Sequence, residues 1–225
     1  ALLRARPCTV FDVACGHGML GVLVAYRFPQ CCVIANDLIR RPALSAILGA
    51  WQRAAVRSND ATAPPRLVFV QGDLAQVLAT AAQQSLESAS TAPRERRAGP
   101  MRGGTDRPQF EEGLLALNSA AYVLCVHGCT DANQAAIGAA RAAGAGWLVL
   151  PCCVAKGSHL RESSLHLDDE VRYHVLCGAM AVEYRAHQVS SIDPRISPRC
   201  IVLSAPPSRL AQPSFRDDDS TIDRR

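Results

Sequence analysis

Three acidic residues stand at or near the ends of short apolar runs: Asp12 within "TVFDVA", Asp37 after "CCVIAN", and Asp73 after "RLVFVQG". An ionised carboxylate offers only acceptor sites, so it suits hydroxyl and amine donors and pairs with a cation. Asp12 is followed by "VACGHG", where Gly16 and Gly18 let the backbone bend tightly and admit a ligand where a Cβ would clash. The next residues read as a helix, whose first amides and dipole favour an anionic group. A second set, His127, Cys129, Asp131, Cys152 and Cys153, lies in "CVHGCTDANQAA" and "LVLPCCVAKG". These side chains can take a proton from an acceptor or add to it as a thiolate.

Both sets need a scaffold that gathers strand ends. Short β-rich runs at 9–14, 31–36, 66–71, 121–127 and 146–151 alternate with helical patterns at 19–28, 42–57, 74 to about 84, and 130–143. That alternation predicts a parallel sheet with helices on both faces. A helix near 167–181 and strands near 182–192 and 199–205 follow. Only "DPRISP" separates the last two strands, too short for a crossover, so they should pair antiparallel. The expected fold class is α/β, a seven-stranded mixed sheet of five parallel strands plus a C-terminal antiparallel hairpin. In open sheets of this kind, ligands gather at the carboxyl ends of the strands.

Two ligands compete for the first turn. "GHGMLG" satisfies G-x-G-x-x-G with Gly21 as third glycine, and Asp37 falls near the distance of a ribose-binding acid, which allows a dinucleotide. Against a nicotinamide cofactor, the remaining chain completes one sheet and leaves no room for a substrate domain. Asp12 would also repel a pyrophosphate, whereas it would receive a cationic amine. "VFDVACGHG" resembles motif I of the class I S-adenosylmethionine-dependent methyltransferases, with Ala14 where that family usually carries its first glycine. "ANDL" and "QGDL" supply the further acids that the family places after its second and third strands.

The resemblance implies a Rossmann-like fold and S-adenosylmethionine as cofactor. It implies that Asp37 accepts from the ribose hydroxyls and Asp73 from the adenine amino group, with Asp12 at the methionine ammonium. Ala14, Cys15, Gly16, Gly18, Leu38, Gly72 and Leu74 complete the implied cofactor site. An acid at a strand end also serves as a helix N-cap, a plain alternative for each.

The segments holding His127 and Cys152 resemble a methyltransferase subgroup marked by His-x-Cys…Thr-Asp and Pro-Cys-Cys, which includes a eukaryotic tRNA ribose 2′-O-methyltransferase. Members usually carry extra small residues between the Cys and the Thr-Asp, whereas Cys129, Thr130 and Asp131 are contiguous here. For an alcohol acceptor, His127 or Asp131 would assist proton loss. A thiolate of Cys152 or Cys153 would instead serve cytosine C5 methylation, but the companion Pro-Cys after the fourth strand is absent. Adenine-amine methylation is disfavoured, because "HGCTD" is not the Asn/Asp-Pro-Pro-Tyr/Phe signature. The implied partner is RNA, tRNA or rRNA. The alternative is an inactive methyltransferase-fold protein that serves ribosome or ribonucleoprotein assembly.

At 225 residues and 24.1 kDa, the chain has room for one domain, set at 1–210 with a tail at 211–225. Residues 85–108 turn to Ser, Pro, Gly and Arg and read as a flexible insertion. A net charge of +4 hints at an anionic partner, and no apolar run approaches the ~20 residues of a bilayer span. The ten cysteines lie mostly in apolar runs, so a reducing compartment is expected, intracellular, with cytoplasm and mitochondrion both open. Ala1 is not an initiator Met, so targeting is not read. No metal site is expected, since no C-x-x-C pair exists and the adjacent cysteines point to opposite strand faces.

Overall fold

Five parallel strands form the body of the sheet: β1 (Thr9–Val13), β2 (Cys32–Asp37), β3 (Leu67–Gln71), β4 (Tyr122–Val126) and β5 (Gly146–Leu150). With β6 (Gln188–Ser191) and β7 (Ile201–Ala205) they make seven strands in the order β3-β2-β1-β4-β5-β7-β6. This is a computed structural model, and it describes residues 8–57, 66–90, 116–128, 130–152 and 166–208. β7 runs antiparallel to both β5 and β6, so it alone opposes the sheet direction. The chain steps outward from β1 to β3, then returns to β4 on the other side of β1. Where that order reverses, the loops after β1 and β4 diverge and leave a crevice at the strands' carboxyl ends.

The central strands are apolar on both faces because helices cover both. On one face Phe11, Ile34, Val123 and Val149 pack with Leu78 of α3 (Leu74–Ser90), Ile137 of α4 (Thr130–Ala142) and Met180 of α5 (Asp169–Glu183). On the other, Val10, Val33 and Leu124 meet Val24 and Ala25 of α1 (Met19–Arg27), with Trp51 of α2 (Pro42–Arg57) against the cluster. Side chains the size of Phe11 and Ile34 each stabilise the fold by about 1.5–3 kcal/mol when fully buried. Among the described residues one acidic side chain, Asp12, is buried with them, an energetic exception.

The observed elements differ from the expected ones at several ends. α3 runs six residues beyond 84, to Ser90, so the first part of the expected insertion is helix. Ser85 is held there by donating to the carbonyls of Ala81 and Leu117, a tertiary tie that composition does not reveal. α5 continues to Glu183, and β6 therefore begins only at Gln188. The Ile192 amide donates to Cys200 O at 2.9 Å and closes the expected hairpin. The rest of the insertion, the tail, Cys129 and Cys153 lie outside the described residues. No helix of the described residues is long and apolar enough to cross a membrane.

Candidate functional site

The turn after β1 is built from left-handed backbone at alternate residues: φ is 50° at Ala14, 56° at Gly16 and 72° at Gly18. Ala14 therefore keeps the conformation of a glycine while carrying a methyl group. The Cys15 amide donates to Asn36 O at 3.0 Å and ties the turn to β2. A Cβ on Gly16 would meet nothing within 4 Å, so this side of the turn is open. A Cβ on Gly18 would sit 2.5 Å from Leu44 Cδ1, so Leu44 of α2 would have to shift, and the left-handed φ favours glycine there. Gly18 is the N-cap of α1 and has no side chain to cap it, which leaves the first amides of that helix for other acceptors.

Asp12, which the resemblance implies at the methionine ammonium, is buried beneath the turn. It is 2% exposed and is not among the residues that line the crevice. Its Oδ2 accepts from the Gly21 amide at 2.8 Å. A Cβ on Gly21 would come within 2.9 Å of that oxygen, so the glycine is needed for strand and helix to approach rather than for a pyrophosphate. Burial pushes the Asp12 carboxyl up to about 7; the Gly21 bond opposes this and the Asp37 charge adds to it. The carboxyl thus anchors the start of α1 from beneath. Burial, with Asp12 and Asp37 nearby, also raises the Cys15 thiol to about 12, which keeps it protonated at neutral pH.

A cleft of about 330 Å³ opens at the carboxyl ends of β2 and β3, facing the first turn of α4. Ala14, Asp37, Leu38, Asp73, Leu74 and Asp131 line it. Asp37 is half-buried, and its Oδ2 accepts from the Gly16 amide at 2.8 Å, which joins the turn to the tip of β2. Its Oδ1 has only a long contact of 3.4 Å from the Ile39 amide. Asp73 caps α3: Oδ1 accepts from the amides of Ala75 at 2.9 Å and Gln76 at 3.2 Å. The N-cap alternative therefore holds for Asp73, and Oδ2 is the oxygen left to a ligand. Leu38 is 64% exposed and adds apolar surface to the wall of the cleft. A second hollow, about 260 Å³, continues beneath α3 and shares Gly72 and Asp73.

The structure divides the expected acceptor residues. Asp131 lines the same cleft as Asp37 and Asp73. His127 and Cys152 are not among its lining residues; the Cys152 thiol donates to His127 O at 3.3 Å, and the His127 amide to Leu150 O at 3.0 Å. His127 is exposed with φ at 58°, so the chain turns sharply outward at the end of β4. Two buried asparagines, given no role by the sequence reading, hold the loops. Asn133 donates from Nδ2 to Gly128 O at 2.7 Å, and Asn36 donates to Val70 O and Gly72 O, each at 3.0 Å. The signal for Asn36 was present: an amide in an otherwise apolar strand must find partners.

No protein-family model and no curated protein matches the chain. Solved structures do match. The antibiotic-resistance methyltransferase Kmr is 15% identical over 92% of this chain and 90% of its own, at a TM-score of 0.47. An O-methyltransferase family protein from Burkholderia thailandensis is 16% identical over 92% of this chain and 52% of its own, at 0.44. The 16S rRNA methyltransferase KamB is 14% identical over 90% and 89%, also at 0.44. At such scores the fold assignment rests on the strand order and the turn themselves. The chain has the seven-stranded Rossmann-like fold that the resemblance to class I methyltransferases implies.

Proposed function

We propose that the chain binds S-adenosylmethionine in the cleft and transfers its methyl group to an RNA acceptor. The observation that carries this reading is the meeting of Asp37, Asp73 and Asp131 around one cleft, with the open Gly16 turn bonded to Asp37. When bound, the cofactor supplies an electrophilic methyl on a sulfonium. Asp37 accepts from the ribose hydroxyls through Oδ1, and Asp73 accepts from the adenine amino group through Oδ2. Leu38 and Leu74 give the base an apolar wall, and the amides that open α1 receive the methionine carboxylate. Asp12, buried and accepting from Gly21, positions that helix start.

We assign the acceptor's proton to Asp131, a reading supported by its lining the cleft, as no other described acceptor candidate does. For thiolate addition to a base, the Cys152 thiol donates to a backbone carbonyl, and Cys153 lies outside the described residues. An oxygen acceptor such as a ribose 2′-hydroxyl fits a carboxylate base. RNA, tRNA or rRNA, is supported by the subgroup resemblance and the net charge of +4. A reducing, intracellular compartment accords with cysteines buried as thiols in the core.

The test is incubation of the chain with S-adenosylmethionine tritiated in the methyl group and total cellular RNA. Label in purified RNA, abolished by Asp37→Ala, is the expected result. Cofactor binding with no label in RNA would overturn the activity and favour the assembly-factor reading.

A further inference from the structure

At the opposite, amino-terminal end of the sheet lie two thiols that the proposed chemistry does not use. Cys8 immediately precedes β1 and Cys31 immediately precedes β2. The parallel register pairs Thr9 with Cys32, and the Cys32 amide donates to Cys8 O at 2.9 Å, so Cys8 and Cys31 are brought side by side at the strand bases. Both side chains lie in the cluster under α1, and their Sγ atoms are 2.7 Å apart. Adjacent strands are about 4.8 Å apart, inside the Cα separation that a disulfide accepts. Cys31 is 0% exposed, whereas Cys8 is half-buried and reaches solvent. The Cys31 amide donates to Phe28 O at 2.9 Å, which fixes the backbone on that side.

We propose that Cys8 and Cys31 are a peroxide-oxidisable dithiol that closes to an intramolecular disulfide across the bases of β1 and β2. Cys8 Sγ, as thiolate, attacks one oxygen of hydrogen peroxide, breaking the O–O bond to give a sulfenic acid and, after proton uptake, water. Cys31 Sγ, as thiolate, then attacks Cys8 Sγ and expels hydroxide, which leaves as a second water. The two thiols lose two protons and two electrons, and the peroxide is reduced to two waters. Access favours this order, since Cys8 is half-buried whereas Cys31 is fully buried and is left to resolve the sulfenic acid. The hydrogen bond with Cys8 holds the Cys31 thiol below its ordinary range, although burial opposes it, while burial pushes Cys15 and Cys32 up. Cys32, the next residue, projects to the other face of β2 and is not presented to Cys8.

The test uses the full chain, reduced and then exposed to a small excess of hydrogen peroxide. Remaining thiols are alkylated and the product is mapped by mass spectrometry with fragmentation. The expected product is about 2 Da lighter than the reduced chain, has lost two alkylation sites, and carries a link localised to Cys8 and Cys31 that dithiothreitol reverses. Cys8→Ser, a change at a half-buried position, should lose the link and leave Cys31 alkylated after unfolding. Persistence of both thiols, oxidation of Cys8 to sulfinic acid without a link, or a link that joins Cys31 to another cysteine would each overturn the proposal. None of these readouts depends on cofactor binding or methyl transfer.

Discussion

Asp12→Asn separates a buried charge from a buried shape. The carboxyl is 2% exposed and accepts from the Gly21 amide at 2.8 Å, and burial raises it from 3.8 to about 7. The unfolded chain releases this proton near pH 4, whereas the folded chain keeps it until about pH 7. Between those values the folded state binds the extra proton, so this site's contribution to stability is present at low pH and is lost as pH rises through 7. At about 1.36 kcal/mol per unit, raising the pH from 5 to 8 costs the wild type about 2–3 kcal/mol at this position. Asparagine retains an oxygen for Gly21 but has no proton to lose, so its unfolding free energy lacks this pH term. Urea unfolding of both chains at pH 5 and pH 8 measures it. The variant should gain about 2–3 kcal/mol relative to wild type between the two conditions. Parallel pH profiles would refute the claim that the carboxyl titrates in the folded state near neutrality.

Ala14→Gly relieves a left-handed residue, which costs a non-glycine about 1–2 kcal/mol against a glycine entropy penalty of about 0.5–1 kcal/mol, so Tm should rise by about 1–3 °C; a fall would contradict the strain. Asn133→Ala removes the 2.7 Å bond to Gly128 O inside the fold and should cost about 1–2 kcal/mol in chemical denaturation. Asp131→Asn should slow single-turnover methyl transfer by about 10²–10⁴ while leaving the cofactor Kd within a few-fold, and an unchanged rate would take Asp131 out of the chemistry.

The architecture was legible because periodicity and turn residues act locally. "TVFDVA" reads as a strand, and it ends at Val13 because Ala14 turns left-handed. The hairpin follows from the length of "DPRISP", but the insertion of β7 between β5 and β6 does not, since only packing of α5 and the sheet edge chooses it. The end of α3 was misplaced because Ser-rich composition weighs less than the bonds of Ser85 to Ala81 and Leu117. That Asp37 and Asp73 line one cleft was legible, because strand ends place them together. The burial of Asp12 was not visible, since it depends on Gly21 coming close enough to donate to it. Nor did sequence spacing show that Asp131 lines the cleft while His127 and Cys152 are not among its lining residues.

The most direct measurement is calorimetric titration of the chain with S-adenosylmethionine, repeated with Asp37→Ala. The account predicts saturable binding at micromolar concentrations, weakened by about 10–100-fold when Asp37 no longer accepts from the ribose and from Gly16. Absence of heat and of saturation up to millimolar cofactor, in a chain that unfolds cooperatively, would contradict it.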